Sequence, residues 1–204
     1  MSELKKAKYL GGIEASLMPL GLIIIFFGTV QSQVRHFPQV GELLIGLFFF
    51  IFGIISALLA VKKVATVTGQ REIFQNSVLA LGIALLSLPA SFAGPILILV
   101  AMIFLSRALK VIGKIIGKKL FFWSANTFLF IGILSILLVL PEVAFLRGFL
   151  LGQKFLFTLF FHFGTLWMLG LLIPLLLAFL LLAIAFFTLP ENLPQKSLTE
   201  KKEM

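Results

Sequence analysis

The sequence predicts an all-α fold: a polytopic transmembrane helical bundle of six spans, with an interfacial or re-entrant helical segment before the last span. Three observations carry that prediction. Of the 204 residues, 60% are hydrophobic and 12% charged, whereas an ordinary soluble domain holds about 45–50% apolar and about 25% charged residues. Too little polar surface is left to face water, and lipid tails accept what water does not. The apolar residues also fall into six blocks, each close to the ~20 residues that cross a hydrocarbon core of ~30 Å. Finally, the basic residues gather on alternate connections between those blocks.

The first span covers residues 10–30 and follows Lys5, Lys6 and Lys8. A basic start and the small-residue stretch Val30-Gln31-Ser32 are also features of a cleaved leader. The apolar run is longer than a leader's core of about 7–15 residues and contains Glu14, so it reads as a retained span. The second span, residues 40–61, is rich in Leu, Ile and Phe, with Gly46 and Gly53 a heptad apart on one potential close-packing face. The third, residues 73–92, opens with Gln75, Asn76 and Ser77, which suit helix-start and interhelical hydrogen bonds. Ala93-Gly94-Pro95 leaves room only for a tight turn, so the third span and the fourth, residues 95–112, form an antiparallel hairpin.

The fifth span covers residues 121–140 and the sixth residues 165–189. Trp123 and Trp167 fall near their starts, where an amphipathic ring rests at head-group level. Between them the chain turns apolar at Phe155, and one helix over residues 155–189 would be about 50 Å long. A break near Gly164 is therefore expected. It leaves residues 142–163 as an outer-face segment whose phenylalanines, among them Phe145, Phe149 and Phe160, suit the acyl boundary. Residues 1–189 form a single transmembrane domain, and the charged, proline-punctuated residues 190–204 a flexible cytoplasmic tail.

Charge sets the orientation. Lys5, Lys6 and Lys8 precede the first span; Lys62, Lys63 and Arg71 lie between the second and third; Arg107, Lys110, Lys114, Lys118 and Lys119 attend the fourth-to-fifth connection; Lys196, Lys201 and Lys202 end the chain. In a six-span chain all of these face one side, and only Arg35, Arg147 and Lys154 of the 17 basic residues face the other. The positive-inside rule then places both termini in the cytoplasm of a cell-membrane protein. The formal charge of +9 is accounted for by topology and by anionic head groups, which are the expected partner on the cytoplasmic side, and nucleic acid is not.

The residues that could carry chemistry are few. Glu14 and Arg107 lie at similar depths inside the first and fourth spans, a match that allows an intramembrane ion pair. Its functional reading is a proton or ion relay, and its plainer reading is a packing pair or snorkelling. Glu42 and Glu142 fall at outer helix ends, where a carboxylate reaches water or helix amides. His36 and His162 have no His, Asp or Glu at ligand spacing, and cysteine is absent, so no metal or cofactor is expected. The elements Gly113-Lys-Ile-Ile-Gly117 and Gly148-Phe-Leu-Leu-Gly152 lie at helix ends, where a small-xxx-small signal for helix dimers is weak. No phosphate loop, zinc helix or nucleophile elbow occurs, and no internal repeat of the kind many transporters show.

Three stretches, Lys8-Tyr-Leu-Gly-Gly-Ile13, Arg71-Glu-Ile-Phe-Gln-Asn76 and Ala183-Ile-Ala-Phe-Phe-Thr-Leu-Pro190, together with the order of spans, resemble a family of short polytopic membrane proteins designated domain of unknown function 996. The resemblance runs over nearly the whole chain, and residues 142–163 depart from the family's shorter connection before its final span. It implies an integral membrane protein and carries over no activity and no functional residues. Three classes of function follow from the residues. The scarcity of buried polar groups favours a non-enzymatic protein, scaffold-like or an accessory subunit, with a second copy or other membrane subunits as partners. A small oligomeric permease or channel would need a polar path built from Glu14, Arg107, Asn76 and Asn126. A lipid-acting enzyme would need His or Asp clusters that the chain lacks.

Overall fold

The computed structural model describes residues 2–35, 40–87, 93–137 and 154–190. All six elements among them are α-helices: α1 (Glu3–Arg35), α2 (Val40–Thr68), α3 (Arg71–Ser87), α4 (Gly94–Ile116), α5 (Lys119–Ile136) and α6 (Lys154–Phe187). Each helix packs on its neighbours in sequence, and α6 returns to pack on α1, so the six close a ring. Glu3 at the start of α1 binds Lys63 near the end of α2 at 2.6 Å, and Gly11 of α1 lies against Phe186 at the end of α6. The start of α1, the α2–α3 and α4–α5 turns and the end of α6 therefore share one end of the ring. Of the basic residues described, only Arg35 and Lys154 belong to the other end.

Four stretches are long and apolar enough to cross a membrane: Glu3–Ile25 within α1, and Val40–Thr68, Gly94–Ile116 and Lys119–Ile136. α3 has 17 residues, and Leu172–Phe187 of α6 is a shorter apolar stretch. The surface fits a lipid solvent. On α2 the exposed side chains are large and apolar, including Leu44, Phe48, Ile51, Phe52, Ile55 and Leu59, while the buried ones include Gly46, Gly53, Ser56 and Ala60. Water would reverse that distribution; in lipid, small residues go inward because close backbone approach is what holds helices together.

Helix ends follow local chemistry. Gly69 and Gly117 take left-handed φ values of 69° and 73° and stop α2 and α4, leaving two-residue turns. The N–H groups of Gly117 and Lys118 both donate to the Gly113 carbonyl, at 2.9 and 3.2 Å. The spacing of Gly113 and Gly117 is thus a helix C-cap, which needs the conformation a glycine adopts freely. On α5, Phe121, Ser124, Ala125, Phe128, Ile131, Gly132 and Ser135 form one buried stripe at helical spacing. Ser124 Oγ donates to the Ala178 carbonyl of α6 at 3.2 Å, and Ser135 Oγ to the Pro95 carbonyl of α4 at 3.0 Å. Phe121–Phe186 and Phe128–Phe179 pack edge-to-face across the same α5–α6 seam, each with ring centroids 5.4 Å apart. Ser124→Ala is expected to lower stability by only about 0.6 kcal/mol, the average for interhelical hydrogen bonds in membranes, measurable by thermal unfolding in detergent.

One expectation is corrected. The helix α6 runs unbroken through Gly164 from Lys154 to Phe187, so residues 154–163 belong to it and not to a separate outer-face segment. A glycine inside a helix costs about 1 kcal/mol relative to alanine. That is too little to end a helix whose neighbours on both sides, Phe155–Phe163 and Leu166 onward, are good or tolerable helix formers. Even Pro174 is accommodated within it. Residues 138–153, which include all of the remaining expected segment, and 191–204, all but the first residue of the expected tail, lie outside the described residues.

Candidate functional site

Inside the ring lies a cavity of about 310 Å³ to which all six helices contribute. Helical spacing decides which side chains reach it. From α1 come Glu14, Met18 and Leu22, each four residues after the last; from α2, Phe50, Ile54, Ala57, Leu58 and Val61; from α3, Ser77, Ala80, Leu81 and Ala84. α4 supplies Ala101, Met102, Leu105 and Leu109, α5 Phe128, and α6 Leu175, Phe179, Leu182 and Phe186. Among the described residues the walls are apolar apart from Glu14 and Ser77, with no lysine, arginine or histidine. The Ser77 hydroxyl donates to its own helix, to the Ile73 carbonyl at 2.9 Å.

Glu14 is therefore the singular group. It is 4% exposed, and its Oε2 has no hydrogen-bond partner. A buried carboxylate without compensation costs several kcal/mol, and removal from water is repaid only by a partner with good geometry. The structure does not bring Arg107 to it. Arg107 is exposed, with its guanidinium 5.9 Å from the centroid of the Phe104 ring on its own helix. At 3.6 residues per turn, Arg107 is rotated about 200° from both Leu105 and Leu109, the α4 residues that line the cavity. The shared depth of the two residues is compatible with pairing; the shared azimuth that pairing also needs is missing.

The other sequence candidates disperse. Asn76 is buried on α3 with its Nδ2 unpartnered, but it is not part of the cavity wall. Gln75 and Asn126 are exposed. Glu42 lies in the first turn of α2, beside Gly28 of α1. Trp123 is 65% exposed in the second turn of α5. His36, Glu142 and Gly148 lie outside the described residues, as do the side chains of His162 and Trp167. Among the described residues no group of three or more His, Cys, Asp or Glu side chains could hold a metal ion.

The ion pairs among the described residues join Glu3 to Lys6 at 2.8 Å and to Lys63 at 2.6 Å. They tie the first turn of α1 to α2 at the end of the ring where the basic residues gather. No family model, curated protein or solved structure matches the chain.

Proposed function

We propose that the chain is a multi-pass protein of the cell membrane that crosses it six times, keeps both termini in the cytoplasm, and performs no covalent chemistry. It works as a scaffold-like or accessory subunit of a membrane complex, with anionic head groups and other membrane subunits, a second copy included, as partners. The observation that carries this reading is the dispersal of its polar side chains: Glu14 faces the cavity, Asn76 is buried elsewhere, and Arg107 and Asn126 are on the outside. Covalent chemistry on a lipid needs several such groups within reach of one reacting atom. The resemblance to the polytopic family is in keeping with a membrane role and adds no activity. A second reading, a small oligomeric permease, is favoured by Glu14 alone, since an ionisable group facing a cavity inside a bundle is where a coupling site would be.

Both parts of the proposal can be tested in the chain as it stands, which has no cysteine. Single replacements Ser2→Cys and His36→Cys in intact cells, probed with a membrane-impermeant maleimide, should label His36→Cys directly and Ser2→Cys only after permeabilisation. Labelling of Ser2→Cys in intact cells would overturn the orientation. For the role, cross-linking in native membranes followed by mass spectrometry should recover a stoichiometric partner chain. Recovery of the chain alone, with solute flux in reconstituted vesicles that Glu14→Gln abolishes, would replace the accessory role with the permease.

A further inference from the structure

The cavity makes a combined demand. Its walls are apolar, so whatever fills it presents mostly carbon, and one place on that wall is a carboxyl group with an unpartnered oxygen, 4% exposed. Water alone is a poor occupant, because an ordered buried water takes two to four polar partners and, among the described residues, Glu14 and the internally bonded Ser77 are the polar side chains on offer. An inorganic cation is poorer still, since calcium takes about six to eight oxygen ligands and magnesium a near-octahedral set. A fatty acid would bring a second carboxylate to the first, in a cavity with no cationic side chain among the described residues. An alkane or a neutral alkyl chain would fill the volume and leave Glu14 without a partner.

What satisfies both demands is a small apolar body bearing a single cationic N–H donor. The volume of about 310 Å³ is at the lower end of the ~300–1,000 Å³ range of small-molecule pockets. Phe50, Phe128, Phe179 and Phe186 are among the wall residues, and aromatic rings attract a nearby cation. We propose that the cavity is a binding site for a lipophilic amine, with its ammonium group on the Glu14 carboxylate and its apolar part among the phenylalanine, leucine and methionine side chains of the ring. The inference goes beyond the accessory role. A chain with no partner subunit would still bind the amine, and a partner-bound chain without amine affinity would sink this inference alone.

The test uses the full chain in nanodiscs of zwitterionic phosphatidylcholine, so that anionic head groups do not collect the probe. Decylammonium and decanol share one apolar tail and differ in the group offered to Glu14. Saturable binding of each is read as the ligand-dependent rise in the thermal unfolding midpoint. Decylammonium should bind the wild type about tenfold or more tightly than decanol, the factor expected of a charge-assisted hydrogen bond. In Glu14→Gln, which keeps the side chain's shape, that preference should fall to near unity. Equal binding of the two probes by the wild type would overturn the proposal, and so would a preference retained in Glu14→Gln. Ala84→Phe leaves Glu14 in place and fills the cavity from α3, so it should remove saturable binding of both probes. If Glu14→Gln does not fold, Ala84→Phe decides: amine binding that survives it is binding elsewhere. The wild-type comparison stands by itself should neither variant fold.

Discussion

Replacing Gly21 by alanine is expected to lower the stability of the bundle by about 3 kcal/mol, the upper end of what a single overpacking change costs. A methyl group at Gly21 would lie 2.7 Å from the Gly46 carbonyl oxygen and 2.7 Å from the Phe50 amide nitrogen, both backbone atoms of α2. Side chains can rotate away from such an intruder; a helix backbone can only translate. Gly46 meets α1 in the reciprocal way, with its own added carbon 2.9 Å from the Gly21 carbonyl, and Gly53 would press on Met18. The α1–α2 pair is therefore built on backbone contact, and moving it apart also moves Glu14, Met18 and Leu22 relative to the rest of the cavity wall. Gly82→Ala is the matched control, because Gly82 is a helical glycine with nothing within 4 Å of the added carbon. It should be neutral or stabilising by about 0.5–1 kcal/mol. Thermal unfolding in a single detergent compares the two, and coincident midpoints would refute the backbone-contact account.

The second large effect is expected at the seam that closes the ring. A methyl group at Gly11 would overlap the ring of Phe186. That ring is 1% exposed and packs edge-to-face on Phe121, itself fully buried, so it has nowhere to go. Gly11→Ala should cost about 2–3 kcal/mol. One residue on, Gly12→Ala would meet Phe187 just as closely, but Phe187 is 44% exposed and can swing outward. It should cost less than about 1 kcal/mol, because the ring that must move lies at the surface. A partial rescue of Gly11→Ala by Phe186→Leu, measured as a double-mutant cycle, would show that the cost is local to this contact. Equal effects of Gly11→Ala and Gly12→Ala would show that the seam is not rigid.

Much of the fold was legible because membranes impose few solutions. Apolar length places the helices, and each of the six expected spans overlaps one of the six helices described. The face carrying Gly46 and Gly53 was also readable, since small residues a heptad apart have one good use between packed helices. Depth along a helix can be counted from sequence, but azimuth requires knowing which face is buried. That distinction explains Glu14 and Arg107, which agree in depth and point in unrelated directions. The i, i+4, i+8 series of Glu14, Met18 and Leu22 was present in the sequence, yet on a helix apolar nearly all round it does not stand out. Gly164 misled for a related reason: a chain too long for one span suggests a break, whereas the helix simply continues.

The contact of α6 with α1 also has a consequence in time. Chains are made from the N-terminus, and early segments meet their surroundings before later ones exist. Until the helix bearing Phe186 arrives, Gly11 has no lid, and the pocket around Glu14 lacks the Leu175, Phe179, Leu182 and Phe186 side of its wall. A nascent chain stalled short of α6 thus presents an acidic group in a half-built wall, which α6 completes. During synthesis the Glu14 side of the cavity stays open until α6 docks on α1.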